Sequence, residues 1–330
     1  MNQHLAKVRS IKTINYETPI LVPSFSSKGF PHVKELHNYL KEKLTEVSLV
    51  SAYDLHYRYL ELDQIYESDI LIIDSGGYER NQEYDISDIY NSFYTAKEWN
   101  EDLYKKQIGM LRPVTDILLV NFDYQEAYPL EEQIRLAQKH FDSFPNFASD
   151  FLCKPTSTDA LTIDINSLTK CTHLLSPFDV VGFTEKELGN SIFERASNIY
   201  KIRKGLEKAG LDTPIHIFGC VDPLSITLYF LCGADIFDGL SWLRFSFQKD
   251  SPTYLSHYAL KHGFWDRSDN EVKTIGYIEN LEILTSLKNR LITFAQSSDW
   301  DKLNLEPKAL QEIKYILRRI EKIDKVEEAD

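Results

Sequence analysis

Two stretches decide the fold: Asp235-Ile236-Phe237-Asp238-Gly239-Leu240 and Ile72-Ile73-Asp74-Ser75-Gly76-Gly77-Tyr78. Each is an apolar run that stops at a carboxylate with glycine close behind it, which is typical of a buried strand that ends in a tight turn. The carboxylate then lies at the carboxyl end of its strand, the edge where parallel α/β proteins carry out their chemistry. Two such acids, far apart in the sequence, indicate a site assembled from several strands.

Further apolar runs alternate with amphipathic segments along the chain, and several are rich in Ile and Val without polar alternation. They comprise residues 20–25, 49–53, 117–123, 151–154, 178–183 and 215–220. The clearest helical spacing occurs in residues 130–141, 190–209 and 224–231. About eight strands buried on both faces, with helices between them, predict a (β/α)8 TIM barrel. A doubly wound open sheet shows the same alternation, so the count alone does not decide between the two.

Two segments depart from this alternation. Residues 84–100 are rich in Tyr, Asp, Ser and Asn, and we expect an insertion or lid there, after the third strand. From Leu281 onward, apolar residues recur at helical spacing. We therefore predict a barrel domain, residues 1–295, followed by a C-terminal helical extension, residues 296–330, that packs on the barrel.

Composition limits the class of protein. The net charge of −13 argues against a general nucleic-acid binder, because phosphate contacts need clustered Lys and Arg. No apolar run approaches the ~20 residues that span a bilayer, and the N-terminus lacks the apolar segment of a signal peptide. The simplest interpretation is a cytoplasmic protein with no membrane partner. The four cysteines form no C-x-x-C pair, which gives a structural zinc site little support.

The predicted strand ends bring Asp74, Asp123 and Asp238 to one face. Three carboxylates at one barrel mouth repel one another, which raises at least one pKa unless donors compensate and so separates acid and base roles. One carboxylate can attack the anomeric carbon of a sugar while a second moves protons at the leaving group. The alternative is structural, since a strand-end Asp is a common helix N-cap and acids can also bind a metal.

Five ordered stretches carry a resemblance to a known family. Residues 74–78, Asp-Ser-Gly-Gly-Tyr, are similar to the motif D-S-G-G-F/Y-Q, and residues 233–238 are similar to G-x-D-x-F-D. Supporting matches are residues 18–23, Phe122-Asp123, and residues 216–219 followed by Pro223. With these residues the chain resembles the tRNA-guanine transglycosylases and their DNA-acting relatives, the 7-deazaguanine DNA transglycosylases, from about residue 10 to residue 295.

The resemblance implies an enzyme, a pentosyltransferase that exchanges bases. Guanine would be cut from its sugar and replaced by a 7-deazaguanine such as 7-cyano-7-deazaguanine. Asp238 would be the nucleophile on C1′ and form a covalent aspartyl–sugar intermediate, with retention of configuration by double displacement. Asp74 would act as general acid/base, and Asp123 would accept hydrogen bonds from the purine N–H groups.

The resemblance also implies a base-binding slot. Tyr78 and Phe218 would sandwich the purine, although ordinary core packing is the alternative for both. Glu185 would read the 7-substituent, with Glu187 as the other candidate. The remaining base-binding candidates are residues whose small size lets the backbone approach a ligand, namely Ser75, Gly76, Gly77, Gly182 and Gly219.

The chain departs from the tRNA enzymes in several places. No cysteine follows Cys232, so we expect neither their zinc site nor any other metal or cofactor. Residues 151–156 stand where the family has a Gln and two glycines. Residues 187–191 and 237–242 are closer to the DNA-modifying relatives, which favours DNA over tRNA as the substrate. The alternatives are a tRNA-guanine transglycosylase of the same chemistry and a non-catalytic transglycosylase-like subunit.

These implications define the expected partners, which are DNA or tRNA together with a free 7-deazaguanine base. Flipping guanine out of a duplex costs a few kcal/mol. We expect residues 84–100, with Trp99 as a wedge, or a partner protein to offset that cost. A homodimer is compatible with the high aromatic content. The net charge of −13 is compatible with a nucleic-acid substrate if basic residues after the eighth strand line the barrel mouth, and the candidates are Arg244, Lys249, Lys261 and Arg267.

Overall fold

The computed structural model describes residues 4–80, 94–249 and 251–327. A short hairpin, β1 (Ser10–Ile11) and β2 (Tyr16–Glu17), precedes the main sheet, and another, β11 (Ser246–Gln248) and β12 (Ser251–Thr253), follows it. Between them run the eight strands of the main sheet: β3 (Ile20–Pro23), β4 (Val47–Ser51), β5 (Ile70–Asp74), β6 (Asp116–Val120), β7 (Ala148–Cys153), β8 (Val180–Thr184), β9 (Ile215–Phe218) and β10 (Ile236–Gly239).

These eight strands form an all-parallel barrel. From β4 to β10, each strand pairs with the next strand in the chain. Strand β10 also pairs with β3, so that the first and last strands lie side by side. An isolated parallel bridge between Ser24 and Leu49 joins the end of β3 to β4 and completes the ring. The predicted TIM barrel is confirmed, and the open doubly wound sheet is ruled out for this chain.

Helices surround the barrel. The α-helices are α1 (Val33–Leu40), α2 (Ala52–His56), α3 (Gly77–Arg80), α4 (Glu101–Ile108), α5 (Leu130–Asp142), α6 (Ile165–Lys170), α7 (Ile192–Lys208), α8 (Pro223–Leu231), α9 (Ser241–Arg244), α10 (Leu255–Lys261), α11 (Asp269–Ser297) and α12 (Pro307–Glu327). Short 3-10 helices cover Lys41–Lys43, Leu62–Gln64, Thr172–Leu175, Glu185–Leu188 and Trp300–Leu303. The three helices predicted from apolar spacing are confirmed as α5, α7 and α8.

Local sequence explains where these helices begin. The Ser191 hydroxyl accepts the Glu194 N–H at the start of α7, and Asp222 accepts the Ser225 N–H at the start of α8. Such side chains satisfy backbone donors that a first helical turn leaves without partners. At the start of α11, Ser268 and Glu271 form a reciprocal capping box.

The side chains of the barrel strands alternate between two apolar clusters. One fills the barrel interior and includes Ile70, Ile72 and Ile236, while the other lies between the strands and the helices. Because side chains alternate along a strand, Asp74 and Asp238 point the same way as the interior residues two positions before them. The alternation therefore aims both carboxylates into the mouth of the barrel.

The C-terminal helices pack on the rest of the chain. Leu287 and Leu291 of α11 and Leu317 of α12 are buried in the cluster between strands and helices. Helix α11 continues to Ser297, so the predicted division after residue 295 lies within its last turn. No helix among the described residues is both long enough and apolar enough to cross a bilayer.

The predicted insertion is described only in part, because residues 84–93 lie outside the described residues. Trp99 is buried, and its indole N–H donates a 2.8 Å hydrogen bond to the carbonyl oxygen of Ser75. In this position Trp99 does not provide the wedge that was considered for residues 84–100. Its ring instead supports the turn that follows β5.

Asp235 and Asp238, the two acids of the stretch 235–240, have different structural roles. Asp235 lies at the amino end of β10 and is fully buried between two guanidinium groups, 2.8 Å from Nη1 of Arg9 and 2.6 Å from Nη2 of Arg203. It also accepts the N–H of Ile215. Asp235 therefore ties together the base of the barrel, while Asp238, three residues later, faces the opposite end.

Candidate active site

A cavity of about 420 Å³ opens at the carboxyl ends of the barrel strands. Most of the predicted site residues line it, namely Asp74, Ser75, Gly77, Tyr78, Asp123, Phe218, Gly219 and Asp238. Gly76 lies in the turn behind Ser75, and Gly182 lies directly beneath the Phe218 ring. Glu185 does not line the cavity. The structure thus brings together acids from β5, from the end of β6 and from β10, which lie far apart in the sequence.

Asp238 is held by donors on both carboxylate oxygens. The Ser24 hydroxyl donates to Oδ2 over 2.8 Å, and the Gly219 N–H donates to Oδ1 over 3.1 Å. Gly219 has a φ of +82°, a conformation that glycine adopts without a steric penalty and that turns its N–H toward the carboxylate. The carboxylate therefore has a fixed orientation at the cavity wall, as a nucleophile requires.

Asp74 is poised to exchange protons. Burial raises its pKa to about 6; the Gly76 N–H, which donates to Oδ2 over 3.0 Å, opposes this, and the charges of Asp238 and Asp123 add to the rise. A carboxyl group with a pKa near neutrality is populated in both protonation states and suits general acid/base catalysis. The turn that carries it depends on Gly76, whose φ is +85°.

Charged side chains of alternating sign line the cavity wall beside Asp74. Oδ2 of Asp123 lies 3.8 Å from Nζ of Lys154, and the same Nζ donates to Oε1 of Glu187 over 2.6 Å. Oε2 of Glu187 is buried and has no hydrogen-bond partner among the described residues. The segments that follow three successive strands thus present to the cavity an acceptor, Asp123, a donor, Lys154, and a second acceptor, Glu187.

The structure distinguishes the two glutamates proposed to read the 7-substituent. Glu185 accepts hydrogen bonds from Nη1 of Arg195 and from the Tyr229 hydroxyl, each 2.8 Å long, on the outer side of its strand end. Glu187 lines the cavity and contacts Lys154. Glu187, the second candidate, is therefore the residue placed to meet a ligand.

The two predicted sandwich residues both border the cavity. The Phe218 ring stacks on His216, with centroids 3.8 Å apart and an interplanar angle of 30°. The Tyr78 hydroxyl accepts a hydrogen bond from Nη2 of Arg244 over 3.2 Å, and Nζ of Lys28 lies 4.4 Å from the Tyr78 ring. Both aromatic rings are thus held in place by polar or stacked neighbours rather than by apolar packing alone.

Only one of the four expected basic residues lines the cavity, namely Arg244. Lys249 lies near Glu306, Lys261 donates to Gln248, and Arg267 stacks on Phe264. These three residues therefore lie outside the lining of the cavity.

Cations that the sequence did not single out take their place at the mouth, since Lys154 and Lys186 line the cavity. They come from the residue directly after β7 and from the segment after β8 rather than from the region after β10.

Besides these two lysines, sequence reasoning missed three further polar residues of the site. Ser24 holds Asp238, and His216 lies behind Phe218. Glu79 follows the D-S-G-G-Y stretch, lines the cavity and accepts the Ser26 hydroxyl. Burial, with the charges of Asp54 and Asp74, raises the pKa of Glu79 well above its ordinary value and favours its protonated form. For Ser24 and His216 the available signal was a polar residue directly after, or within, an apolar strand.

Within residues 4–80, 94–249 and 251–327, no group of three or more His, Cys, Asp or Glu side chains is arranged to hold a metal ion. Comparison with models of known protein families finds no match for this chain, and comparison with curated proteins finds none either.

Proposed function

We propose that the protein is a base-exchange transglycosylase that replaces guanine in DNA with a 7-deazaguanine, such as 7-cyano-7-deazaguanine, through a covalent aspartyl–sugar intermediate. One observation carries the proposal: Asp74, Asp123 and Asp238 converge on a single cavity that Phe218 and Tyr78 border. A paired nucleophile and proton carrier beside a slot for a flat ring is what glycosidic base exchange needs.

The order of residues round the barrel supports one pose for the base. From β5 to β10 the edge of the cavity presents Asp74, Asp123, Lys154, Glu187 and Asp238 in turn. Round a guanine nucleotide the corresponding order is the N3–N9 edge, the N1 and N2 donors, O6, position 7 and the sugar carbon C1′. The two orders coincide, so one pose matches the N–H donors to Asp123 and the O6 acceptor to Lys154, with C1′ beside Asp238.

In this pose the reaction balances with the residues at hand. Asp238 attacks C1′, the C1′–N9 bond breaks, and protonated Asp74 gives its proton to the departing guanine. The incoming 7-deazaguanine gives its N9 proton to Asp74 and attacks C1′ from the face that guanine left. The ester bond breaks and its electron pair returns to Asp238, so configuration is retained and both acids regain their starting states.

Exchange of radiolabelled guanine into nucleic acid tests the proposal. The wild type should incorporate label into DNA and form a denaturant-stable adduct with it, whereas Asp238→Asn should do neither. Asp159→Asn, on an exposed loop, is the matched control and should behave like the wild type. Unchanged exchange by the Asp238 variant would overturn the mechanism.

The same assay separates the alternatives. Label in tRNA but not DNA would identify a tRNA-guanine transglycosylase, and no label in any nucleic acid would favour a non-catalytic subunit. Exchange on single-stranded but not duplex DNA would indicate that a partner protein opens the duplex.

A further inference from the structure

A buried chain of three ionisable groups runs beneath the cavity. His216 is fully buried on β9, and its Nδ1 lies 2.7 Å from Oδ2 of Asp150 on β7. On its other side, Nε2 lies 3.4 Å from Oδ1 of Asp238, a separation suited to an ion pair although the two atoms are not aligned as a hydrogen bond. The imidazole thus bridges the proposed nucleophile to a second carboxylate that no ligand can reach.

The bridge is fitted closely into the barrel interior. A methyl group in place of the Gly182 hydrogen would lie 2.9 Å from Oδ1 of Asp150 and 2.4 Å from Cε2 of Phe218, so the glycine leaves room for both. The Phe218 ring stacks on one face of the His216 ring. Bulk water is therefore kept from His216 and Asp150, and their mutual interaction is strong because the surroundings are weakly polar.

Charge favours a protonated imidazole in this setting. Burial lowers the pKa of His216, but the charge of Asp150, its hydrogen bond and the nearby Asp238 outweigh burial and raise that pKa to about 9. Burial raises the pKa of Asp150, and His216 opposes that rise. Among the described residues, the ionisable groups that face His216 are Asp150 from β7 and Asp238 from β10, while β8 contributes Gly182.

We propose that His216 is a positioning residue that is an imidazolium at neutral pH, held by Asp150, and that it orients and stabilises the Asp238 carboxylate during base exchange. This inference rests on the proposed function. Oδ1 of Asp238 faces both His216 and the Gly219 N–H, whereas Oδ2 has the Ser24 hydroxyl as its donor. Oδ2 is thus the oxygen that attacks C1′, and Oδ1 becomes the carbonyl oxygen of the ester.

The charge matters most when the ester breaks. As the incoming base displaces Asp238, the electron pair of the C1′–Oδ2 bond returns to the carboxylate, and negative charge reappears on Oδ1 beside the imidazolium. Nε2–H keeps its proton throughout, because it stabilises charge rather than transferring it. His216 therefore speeds release of the sugar from the enzyme more than it affects binding of the base.

Kinetics of His216→Gln and Asp150→Asn test this role. Both variants should lower kcat about 10- to 100-fold and accumulate the covalent adduct, with the KM for the base unchanged within about twofold. The wild-type rate should fall as pH rises through about 9. This decline should be absent in His216→Gln and should occur at lower pH in Asp150→Asn. His140→Gln, at a buried histidine outside the cavity, should leave the pH profile unchanged.

The protonation of His216 can also be followed without an activity assay, which distinguishes a catalytic defect from misfolding of a variant. Nitrogen-15 spectra of labelled histidines should show His216 as an imidazolium at pH 7 in the wild type, and its titration should move to lower pH in Asp150→Asn. A neutral His216 at pH 7, or wild-type pH profiles in both variants, would overturn the inference. Absence of exchange by the wild type would instead refute the proposed function and, with it, the catalytic role of His216, while the spectra would still decide its charge.

Discussion

Nζ of Lys154 lies 2.6 Å from Oε1 of Glu187, and this pair forms the part of the cavity wall between Asp123 and Phe218. Both groups are largely buried, and a buried charge whose partner is removed is costly to leave unpaired. The pair therefore fixes the polar character of the wall, with a cation that can meet a carbonyl oxygen and an anion that can meet a donor. Lys154 directly follows β7, and Glu187 lies in the segment after β8.

We expect Lys154→Met to weaken binding of guanine by tenfold or more, about 1.5 to 3 kcal/mol, because Asp123 and Glu187 lose their cation. Glu187→Gln should affect the 7-substituted base more than guanine itself. A double-mutant cycle measured by calorimetry should give a coupling energy of roughly 1 to 3 kcal/mol. Lys186→Met, at the same mouth, is the control. A coupling energy near zero would refute a shared role for the pair.

The raised pKa of Asp74 predicts a pH dependence. The proton needed by the departing guanine is present below about pH 6 and is lost as pH rises through that value, so kcat/KM for the nucleic acid should decline above it. Asp74→Asn should lower the rate by about 10²- to 10⁴-fold and leave a profile without this inflection. Rates measured from pH 5 to 9 would show whether the inflection near pH 6 is present in each protein. An Asp74→Asn profile that keeps the wild-type inflection would assign it to another group.

Gly182→Ala should disturb the slot without unfolding the barrel. The added methyl group would lie 2.4 Å from Cε2 of Phe218, so the ring must move toward the cavity. We expect a KM for the base raised by about tenfold and a destabilisation of about 1 to 3 kcal/mol. Gly109→Ala, whose new methyl group would meet nothing closer than 3.4 Å, is the matched control. Equal kinetics in the two variants would contradict the expected role of Gly182.

Asp235→Ala should destabilise the fold by about 3 to 5 kcal/mol, because it leaves the guanidinium groups of Arg9 and Arg203 buried without their shared carboxylate. The control is Asp212→Ala, which removes a half-exposed partner of the same Arg9 and should cost about 1 kcal/mol or less. Denaturant unfolding curves would measure both. Similar midpoints for the two variants would show that the buried network contributes no more than the exposed pair.

The barrel and its acids could be predicted because both depend on local patterns. Apolar runs such as residues 70–73 mark strands, and a carboxylate at the end of such a run must lie at the sheet edge. Asp74 and Asp238 were found in this way. Their convergence follows from parallel strands sharing one carboxyl edge.

Contacts between strands could not be predicted in the same way. The pairing of Lys154 with Glu187 depends on the spacing of two strand ends, and the bridge from Asp150 to His216 depends on which strands lie near each other round the ring. Trp99 was misjudged because its neighbours in the sequence are polar. Its indole N–H finds the Ser75 carbonyl oxygen, which lets the ring enter the core.

Ser24 lies at the junction where the first and last barrel strands meet. Besides holding Oδ2 of Asp238, its hydroxyl accepts the N–H of Gly239, and its carbonyl oxygen accepts the indole N–H of Trp242. The serine precedes its carboxylate partner by 214 residues. A chain that lacks β10 therefore contains Asp74 and Asp123 but neither Asp238 nor the contacts that orient it. The hydrogen bond from Ser24 to Asp238 forms only where the first and last strands of the barrel meet.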